Sequence, residues 1–318
     1  MMKLMDFFRL IRYKNLLIII LTMYAIRYGI IYPFLQRASI SMQFDELHFL
    51  LLVIATVCIA AAGYAINDYF DIRSDIANHP ESVLVGTKIS RRSALTINNV
   101  LNLIGVVLGF YVSAYIHLTK FGLLFILVSA TLWFYSSYFK KLLLWGNIVV
   151  AAFSALIPLI PVLFEIPLLN KIIILQHIPV QSKIVSVIFF FALGYSYFAF
   201  LLTLIREIIK DMEDMQGDSE LGRRTLPLVI GIQKSKYVIY AITLIVILSI
   251  AFIYIIFFQD LVSLIYLALL VVAPLVFIIY RLYKASGQKE FFAISKQLKI
   301  VMFFGLAFVV VLCFILLG

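Results

Sequence analysis

Charge is what this sequence has little of. Only 13% of its 318 residues are charged, 64% are hydrophobic, and the mean hydropathy is +1.10. Ordinary globular domains carry roughly 25% charged and 45–50% apolar residues, so a water-soluble globule is excluded and the chain reads as an integral membrane protein. No polar stretch is long enough for a separate soluble domain, which makes residues 1–318 a single membrane-embedded domain. Cysteine is nearly absent. Cys58 and Cys313 each lie in an apolar run, far from any Cys or His at metal-ligand spacing, and read as packing residues. Histidine is also rare: His48, His79, His117 and His177 fall at predicted helix ends or loops, with no mutual spacing for a metal site, and read as interfacial residues. The net charge of +10 is spread over short loops, without a basic patch interleaved with aromatics. Nucleic acid is therefore not an expected partner; membrane lipids and membrane orientation account for the excess.

Long apolar runs are what the chain does have. At about 20 apolar residues per crossing, they predict nine spans, near residues 16–35, 48–66, 95–116, 119–138, 147–164, 184–205, 237–258, 261–280 and 298–317. Very short turns join the third to the fourth and the seventh to the eighth, so each pair is expected as an antiparallel hairpin; the break at Gln259-Asp260 is the weakest boundary. The basic start, followed by a long run with no small-residue cleavage site, predicts a retained first span. Alternate loops lie on opposite sides, and 21 of the 26 Lys and Arg fall on the N-terminal side. By the positive-inside rule, the N-terminus is cytoplasmic in a multi-pass protein of the cell (inner) membrane. Arg27 interrupts the first span and is read as snorkelling to the interface, Lys120 lies near the start of the fourth, and Pro158 and Pro161 predict a kinked fifth helix. The segment Glu165 to Lys183 reads as an outer surface loop.

Acidic residues follow a different pattern. Ten of the sixteen lie in two segments on the cytoplasmic side, 68–81 and 207–220. Asp68, Asp71 and Asp75 are spaced three and four apart, and Asp211, Asp214 and Asp218 repeat that spacing 143 residues later. If each segment extends its membrane helix by two turns, each triplet forms a carboxylate column on one face. Like charges so aligned repel, and a cation offsets that. Mg²⁺ prefers oxygen ligands and binds through one or two carboxylates plus substrate phosphates, so two facing columns suit Mg²⁺ with a diphosphate between them. Asn67 adds an amide oxygen on the first column's side. Gly217 is expected to end the second extension or to admit a phosphate close to the backbone.

These residues resemble the UbiA superfamily of intramembrane prenyltransferases. Its N-D-x-x-D-x-x-x-D signature is matched by Asn67, Asp68, Asp71 and Asp75, and its second motif by Asp211, Asp214 and Asp218. The wider stretch R-E-I-I-K-D-x-x-D-x-x-G-D, followed by G-R-R-T-L-P, looks most like the branch containing archaeal digeranylgeranylglyceryl phosphate synthase. Arg12 and Asn15 fit the family's R-P-x-N signal, with Tyr13 in place of proline; Tyr135, Ser136, Lys140, Gly146 and Asn147 resemble its fourth-helix signature and the loop after it. After the first motif the chain departs from the family pattern: it reads NHPESVLVGTKIS, with Lys88 at the final arginine position and Ser82 at the middle one.

The resemblance implies an all-α bundle of about nine transmembrane helices, its central cavity capped by short cytoplasmic helices. It also implies a Mg²⁺-dependent transfer of a prenyl group, such as geranylgeranyl, from its diphosphate to an acceptor. Metal ligands are then Asn67, Asp68, Asp71, Asp75, Asp211, Asp214 and Asp218, and catalytic residues Asp71, Asp75, Asp211, Lys88 and Tyr135. Donor or acceptor contacts fall to Arg12, Asn15, Lys88, Tyr135, Ser136, Lys140, Arg206, Lys210 and Arg223. Among 28 Phe and 18 Tyr, whose ring faces can stabilise a carbocation, only Tyr135 is assigned such a role. The favoured acceptor is a prenylated glycerol phosphate lipid, for which Arg223 and Arg224 offer charge; an aromatic quinone precursor is the alternative. An ion-coupled transporter is the reading from another class, but carriers place their acids near the bilayer midplane, and here they cluster at one edge.

Overall fold

The computed structural model describes residues 3–78, 80–175 and 182–317. The chain is almost wholly helical: α1 (Leu4–Leu10), α2 (Tyr13–Arg37), α3 (Glu46–Asn78), α4 (Arg91–Tyr115), α5 (Thr119–Ser137) and α6 (Trp145–Leu175) form its first half. α7 (Ser182–Glu213), α8 (Met215–Glu220), α9 (Leu226–Ile230), α10 (Ile232–Phe258), α11 (Leu261–Lys284) and α12 (Gln288–Leu317) complete it. Among the described residues nine helices are long and apolar enough to cross a membrane, and they match the nine predicted runs. Most extend past their runs, because the polar ends also satisfy their backbone groups by continuing the helix; α5, at Thr119–Ser137, does not. The extension is greatest in α3, which carries the whole first aspartate motif beyond its apolar stretch.

Two large apolar clusters hold the bundle. One joins α2 to α6 around Phe49, Ile59, Phe125 and Phe164; the other joins α7, α10, α11 and α12 around Ile205, Ile239, Ile278 and Leu298. The outward faces are also apolar, with Leu103, Phe190, Phe252 and Phe314 all more than half exposed. An apolar interior inside an apolar skin is the pattern that lipid solvent allows. Close approach and small polar contacts supply specificity where hydrophobic burial does not discriminate. A Cβ on Gly109 would stand 2.4 Å from the Phe125 ring, so α4 and α5 touch there. Asn98 Nδ2 donates to the Ala62 carbonyl at 3.0 Å, fastening α4 to α3. The break between α10 and α11 is real: Gln259 is left-handed, at φ 52, and Asp260 caps α11 by accepting from the Ser263 backbone N–H at 2.8 Å.

Arg27 does not snorkel: it is 1% exposed. It donates to Glu46 Oε1 at 2.8 Å and to the Phe44 carbonyl at 2.6 Å, and its guanidinium lies 4.3 Å over the Phe49 ring. Glu165 completes the group 3.8 Å from Arg27 and accepts from the Gln43 backbone N–H at 2.6 Å. Glu165 is therefore a buried ion-pair partner inside α6. Of the predicted loop, residues 165–175 continue that helix, 182 and 183 begin α7, and 176–181 lie outside the described residues; α6 runs through Pro158, Pro161 and Pro167 without interruption. His48 pairs with Asp45 at 2.6 Å and stacks on Tyr115, and His117 and Lys120 are exposed. His79 and His177 lie outside the described residues. Cys58 and Cys313 are free and half-buried.

Arg27→Leu would leave the Glu165 charge buried without its cation, an imbalance worth about 3–5 kcal/mol. The expected outcome is a clear fall in the thermal midpoint of the detergent-solubilised protein; an unchanged midpoint contradicts a supporting role for this group.

Candidate active site

At the other end of the bundle, α3 carries Asp68, Asp71 and Asp75 on one unbroken helical face, with Asn67 one turn before Asp71. Asp71 is 2% exposed, and a carboxylate so deep must be paired. Two cations from different elements pair it. Lys140, in the turn after α5, donates to Oδ2, and Arg223, in the loop after α8, donates to Oδ1 at 2.9 Å. Lys140 also reaches Asn67 Oδ1 at 3.5 Å. Asp68 accepts from Arg12 Nη2 at 2.9 Å, and the Arg12 guanidinium lies 5.1 Å over Tyr64. Arg12 is left-handed at φ 50 in the corner between α1 and α2, a strained backbone conformation of the kind that collects at functional positions.

The second motif is not the straight column its spacing predicted. α7 ends at Glu213, and Asp214 breaks the helix at φ −92, ψ 5 before α8 resumes. Asp211, still on α7, accepts from Asn147 Nδ2 at 2.7 Å. Asp218, on α8, accepts from Arg223 Nη1 at 2.9 Å. One guanidinium thus bridges Asp71 of the first motif and Asp218 of the second. Gly217 lies inside α8 instead of ending it, and its neighbour is a side chain of α3, just beyond the first motif. Its N–H donates to Asn78 Oδ1 at 2.9 Å, and a Cβ there would meet that same oxygen at 2.5 Å.

Electrostatics follow from this packing. Burial works against the Lys140 ammonium, but the Asp71 charge more than offsets it, so its pKa lies above the ordinary lysine value. Arg223 behaves alike: burial opposes its charge, and Asp71 and Asp218 outweigh burial. Burial raises Asp218 above the usual carboxylate range even with Arg223 opposite.

A cavity of about 1290 Å³ opens from this end into the bundle. Arg12, Asn15, Asn67, Asp68, Asp71, Asp75 and Lys88 line its polar mouth with Tyr135, Lys140, Arg206, Lys210 and Asp214; Phe153, Phe191, Phe258 and Phe308 line its apolar depth. Asp211, Asp218 and Arg223 face a side pocket of about 40 Å³, which shares Tyr135, Lys140, Glu207, Lys210 and Asp214 with the cavity. Ser136 is buried, and its hydroxyl donates to the Leu132 carbonyl; it lines neither space. Arg224 is exposed. Sequence reasoning overlooked Glu207, which accepts from Arg206 at 2.6 Å and Lys210 at 3.1 Å. The signal was present, because Glu207 lies one turn before Asp211 on the same face. It also overlooked Lys296 and Lys299, which α12 presents to the cavity.

The fit to a divalent ion rests on the donor set. Among the described residues no three acidic or imidazole side chains gather round one point. Instead, carboxylates stand singly: Asp68, Asp71 and Asp218 carry cations on their oxygens, Asp211 carries the Asn147 amide, and Asn67 adds an amide oxygen. Carboxylates offered one or two at a time, with room for phosphate, are what Mg²⁺ uses, so the residues fit that ion with a phosphorylated substrate.

Opposed acidic helix ends over a deep apolar cavity, within a bundle of nine membrane-length helices among the described residues, define an intramembrane site that is polar at one end and apolar in its depth. The UbiA prenyltransferase family model matches residues 38–307, and the chain belongs to that family. It is 30% identical to digeranylgeranylglyceryl phosphate synthase from Methanosphaera stadtmanae over 257 residues, covering 79% of this chain and 84% of that one. Among solved structures it resembles a chain from work on digeranylgeranylglyceryl phosphate synthase in membranes, with 24% identity, 98% of both chains covered and a TM-score of 0.58. It also resembles the UbiA homolog from Archaeoglobus fulgidus bound to GPP and Mg²⁺, with 16% identity, 96% and 99% coverage and a TM-score of 0.55. The chain is accordingly a prenyltransferase, on the digeranylgeranylglyceryl phosphate synthase-like branch of its family.

Gly217→Val forces Asn78 away and opens the clasp between α3 and α8. Misplacement by about an ångström costs a positioned reaction roughly 100-fold, so prenyl transfer is expected to fall by that order. Normal turnover in this variant contradicts the clasp.

Proposed function

We propose that this protein transfers a polyprenyl group from its diphosphate to the hydroxyl of a prenylated glycerol phosphate lipid, using Mg²⁺, in one domain spanning residues 1–318. The site and the N-terminus lie on the cytoplasmic side of the cell membrane, in keeping with the excess of Lys and Arg there. The observation that carries this reading is the Arg223 bridge between Asp71 and Asp218 at 2.9 Å to each, at the mouth of a cavity long and apolar enough for an isoprenoid tail.

Asn67, Asp68, Asp71, Asp75, Asp211, Asp214 and Asp218 would hold the metal. Bound there, Mg²⁺ neutralises negative charge on the departing diphosphate. Lys140 and Arg223 share that charge, and because they already rest on Asp71, they need only exchange one anion for another. Lys88, exposed at the same mouth, meets the diphosphate from the loop after the first motif. Tyr135 presents its ring where the cavity and the side pocket meet, a position for stabilising allylic positive charge. The allylic C–O bond breaks with its electron pair leaving on the diphosphate. The acceptor hydroxyl then supplies the pair for the new C–O bond, and its proton passes to the released diphosphate. Apolar walls keep water from competing for the cation.

Asp71→Ala and Asp211→Ala are each expected to abolish diphosphate release; because Asp71→Ala also strips Lys140 and Arg223 of their buried partner, Asp71→Asn, which keeps a hydrogen-bonding side chain of the same shape, is measured beside it and is expected to be equally inactive with a smaller loss of thermal midpoint. Full activity of either variant at limiting Mg²⁺ would overturn the assignment. Incubating the purified protein with donors of several chain lengths, and with glycerol phosphate and aromatic acceptors, then weighing the products, identifies both substrates; a product formed only from aromatic acceptors refutes the lipid reading.

A further inference from the structure

The chemistry above uses the carboxylates of both motifs and the cations that rest on them. A second group of cations in the same cavity has no part in it. α12 turns one face into the cavity through Phe292, Ser295, Lys296, Lys299, Met302 and Phe303, and Lys296 and Lys299, three apart, share that face. Lys299 is half-buried, and among the described residues it has neither a hydrogen bond nor an ion pair. Its strongest charged neighbours are Arg206, Lys210 and Arg12, with Glu207 the lone acid among them.

That acid is already committed. Glu207 is divided between Arg206 and Lys210, and Arg12 is held by Asp68. Positive charge is left over around Lys299, in a wall of low polarity where like charges repel strongly. One donor in this group is also orphaned: the Arg206 Nε–H is buried and has no acceptor, an unfavourable state for a polar group. An oxyanion entering between α7 and α12 would supply that acceptor and balance the surplus.

Chemistry separates this anion from the donor diphosphate. The strongest partners of Lys140 are Asp71, Tyr135 and Arg223, so the aspartate end mixes carboxylates with cations, as a metal-bridged diphosphate requires. Around Lys299 cations outnumber acids, the environment for a phosphate that brings no metal. Below Lys299 the same face of α12 turns apolar, at Met302, Phe303 and Leu306, which gives the phosphate a tail to lie along. We propose that Lys299, with Lys296 and Arg206, binds the phosphate of the acceptor lipid, making α12 the element that selects a phosphorylated acceptor over a neutral one. This rests on the preceding reading, in which the donor diphosphate occupies the aspartate motifs.

The test is Lys299→Met, which keeps the length of the side chain and removes its charge, beside Lys299→Arg, which keeps the charge. Losing one charged contact to phosphate is expected to raise the KM for a prenylated glycerol phosphate roughly 10- to 100-fold, with donor KM within about twofold and recovery in Lys299→Arg. Preference for the phosphorylated acceptor over its dephosphorylated alcohol should shrink by the same factor. A binding readout needs no turnover: the prenylated glycerol phosphate should raise the thermal midpoint of wild type and not of Lys299→Met. Assays in nanodiscs of zwitterionic lipid, repeated with phosphatidylglycerol, separate acceptor from bulk headgroup. An effect confined to anionic discs, a rise in donor KM instead of acceptor KM, or an unchanged acceptor KM each overturns the proposal. If wild type turns over only aromatic acceptors, the preceding reading has failed; if wild type uses the phospholipid and Lys299→Met does so equally well, only this inference has.

Discussion

The constraint on which the rest of this structure depends is the cost of keeping Asp71 charged while it is almost wholly buried. A lone carboxylate removed from water is tolerated only when cations and hydrogen bonds surround it. Here those cations must come from distant parts of the chain: Lys140 from the turn after α5 and Arg223 from the loop after α8. Both connections are thereby drawn onto the end of α3. Arg223 then carries Asp218 with it, and Asn78 takes the Gly217 amide, so at this end the two halves of the bundle meet through a polar seam, while deeper in the bundle an apolar cluster of Ile30, Val162, Ile188 and Val309 joins them.

The same arrangement readies the site for its substrate. Asp68, Asp71 and Asp218 are spaced apart by guanidinium and ammonium groups, which offsets their mutual repulsion at the helix ends. On the proposed reading, Lys140 and Arg223 would pass from Asp71 to the diphosphate as Asp71 turns to the metal, so each charge would exchange one partner for another. Pre-placed charge of this sort is what makes electrostatic catalysis effective, because no reorganisation is demanded when the leaving group departs.

Much of this could be read from residues alone, because two strong periodicities carried it. Runs of about 20 apolar residues have one stable solution in a bilayer, and all nine spans were legible for that reason. The repeated three-and-four spacing of aspartates placed the site at one end of α3 and α7. What the spacing could not reveal was the bend at Asp214, a tertiary outcome of fitting α8 against Asn78. Nor could it foresee that Arg27 would pair with Glu165, since the partners lie on separate helices 138 positions apart. Lys296 and Lys299 escaped notice because they fall where a hydropathy window turns from loop to span. The helix in fact begins at Gln288, which puts both lysines on an inward face.

Which lipid such an enzyme accepts is decided at the polar end of its cavity. Burying a methylene out of water is worth about 0.8 kcal/mol, but an isoprenoid tail arrives from the bilayer, where it is already out of water, and lipid tails are as apolar as a leucine-lined wall. Moving the tail between two apolar surroundings gains almost nothing per carbon. Affinity must therefore come from the head, where charges meet charges, and the tail contributes mainly by fitting or clashing. Phe191, Phe258 and Phe308, which close the depth of the cavity, bear on chain length through shape. The polar mouth bears on identity, and on the proposed reading its two unlike groups of ions, one rich in carboxylates and one poor in them, divide the work between a metal-bridged diphosphate and a phosphate that brings no metal.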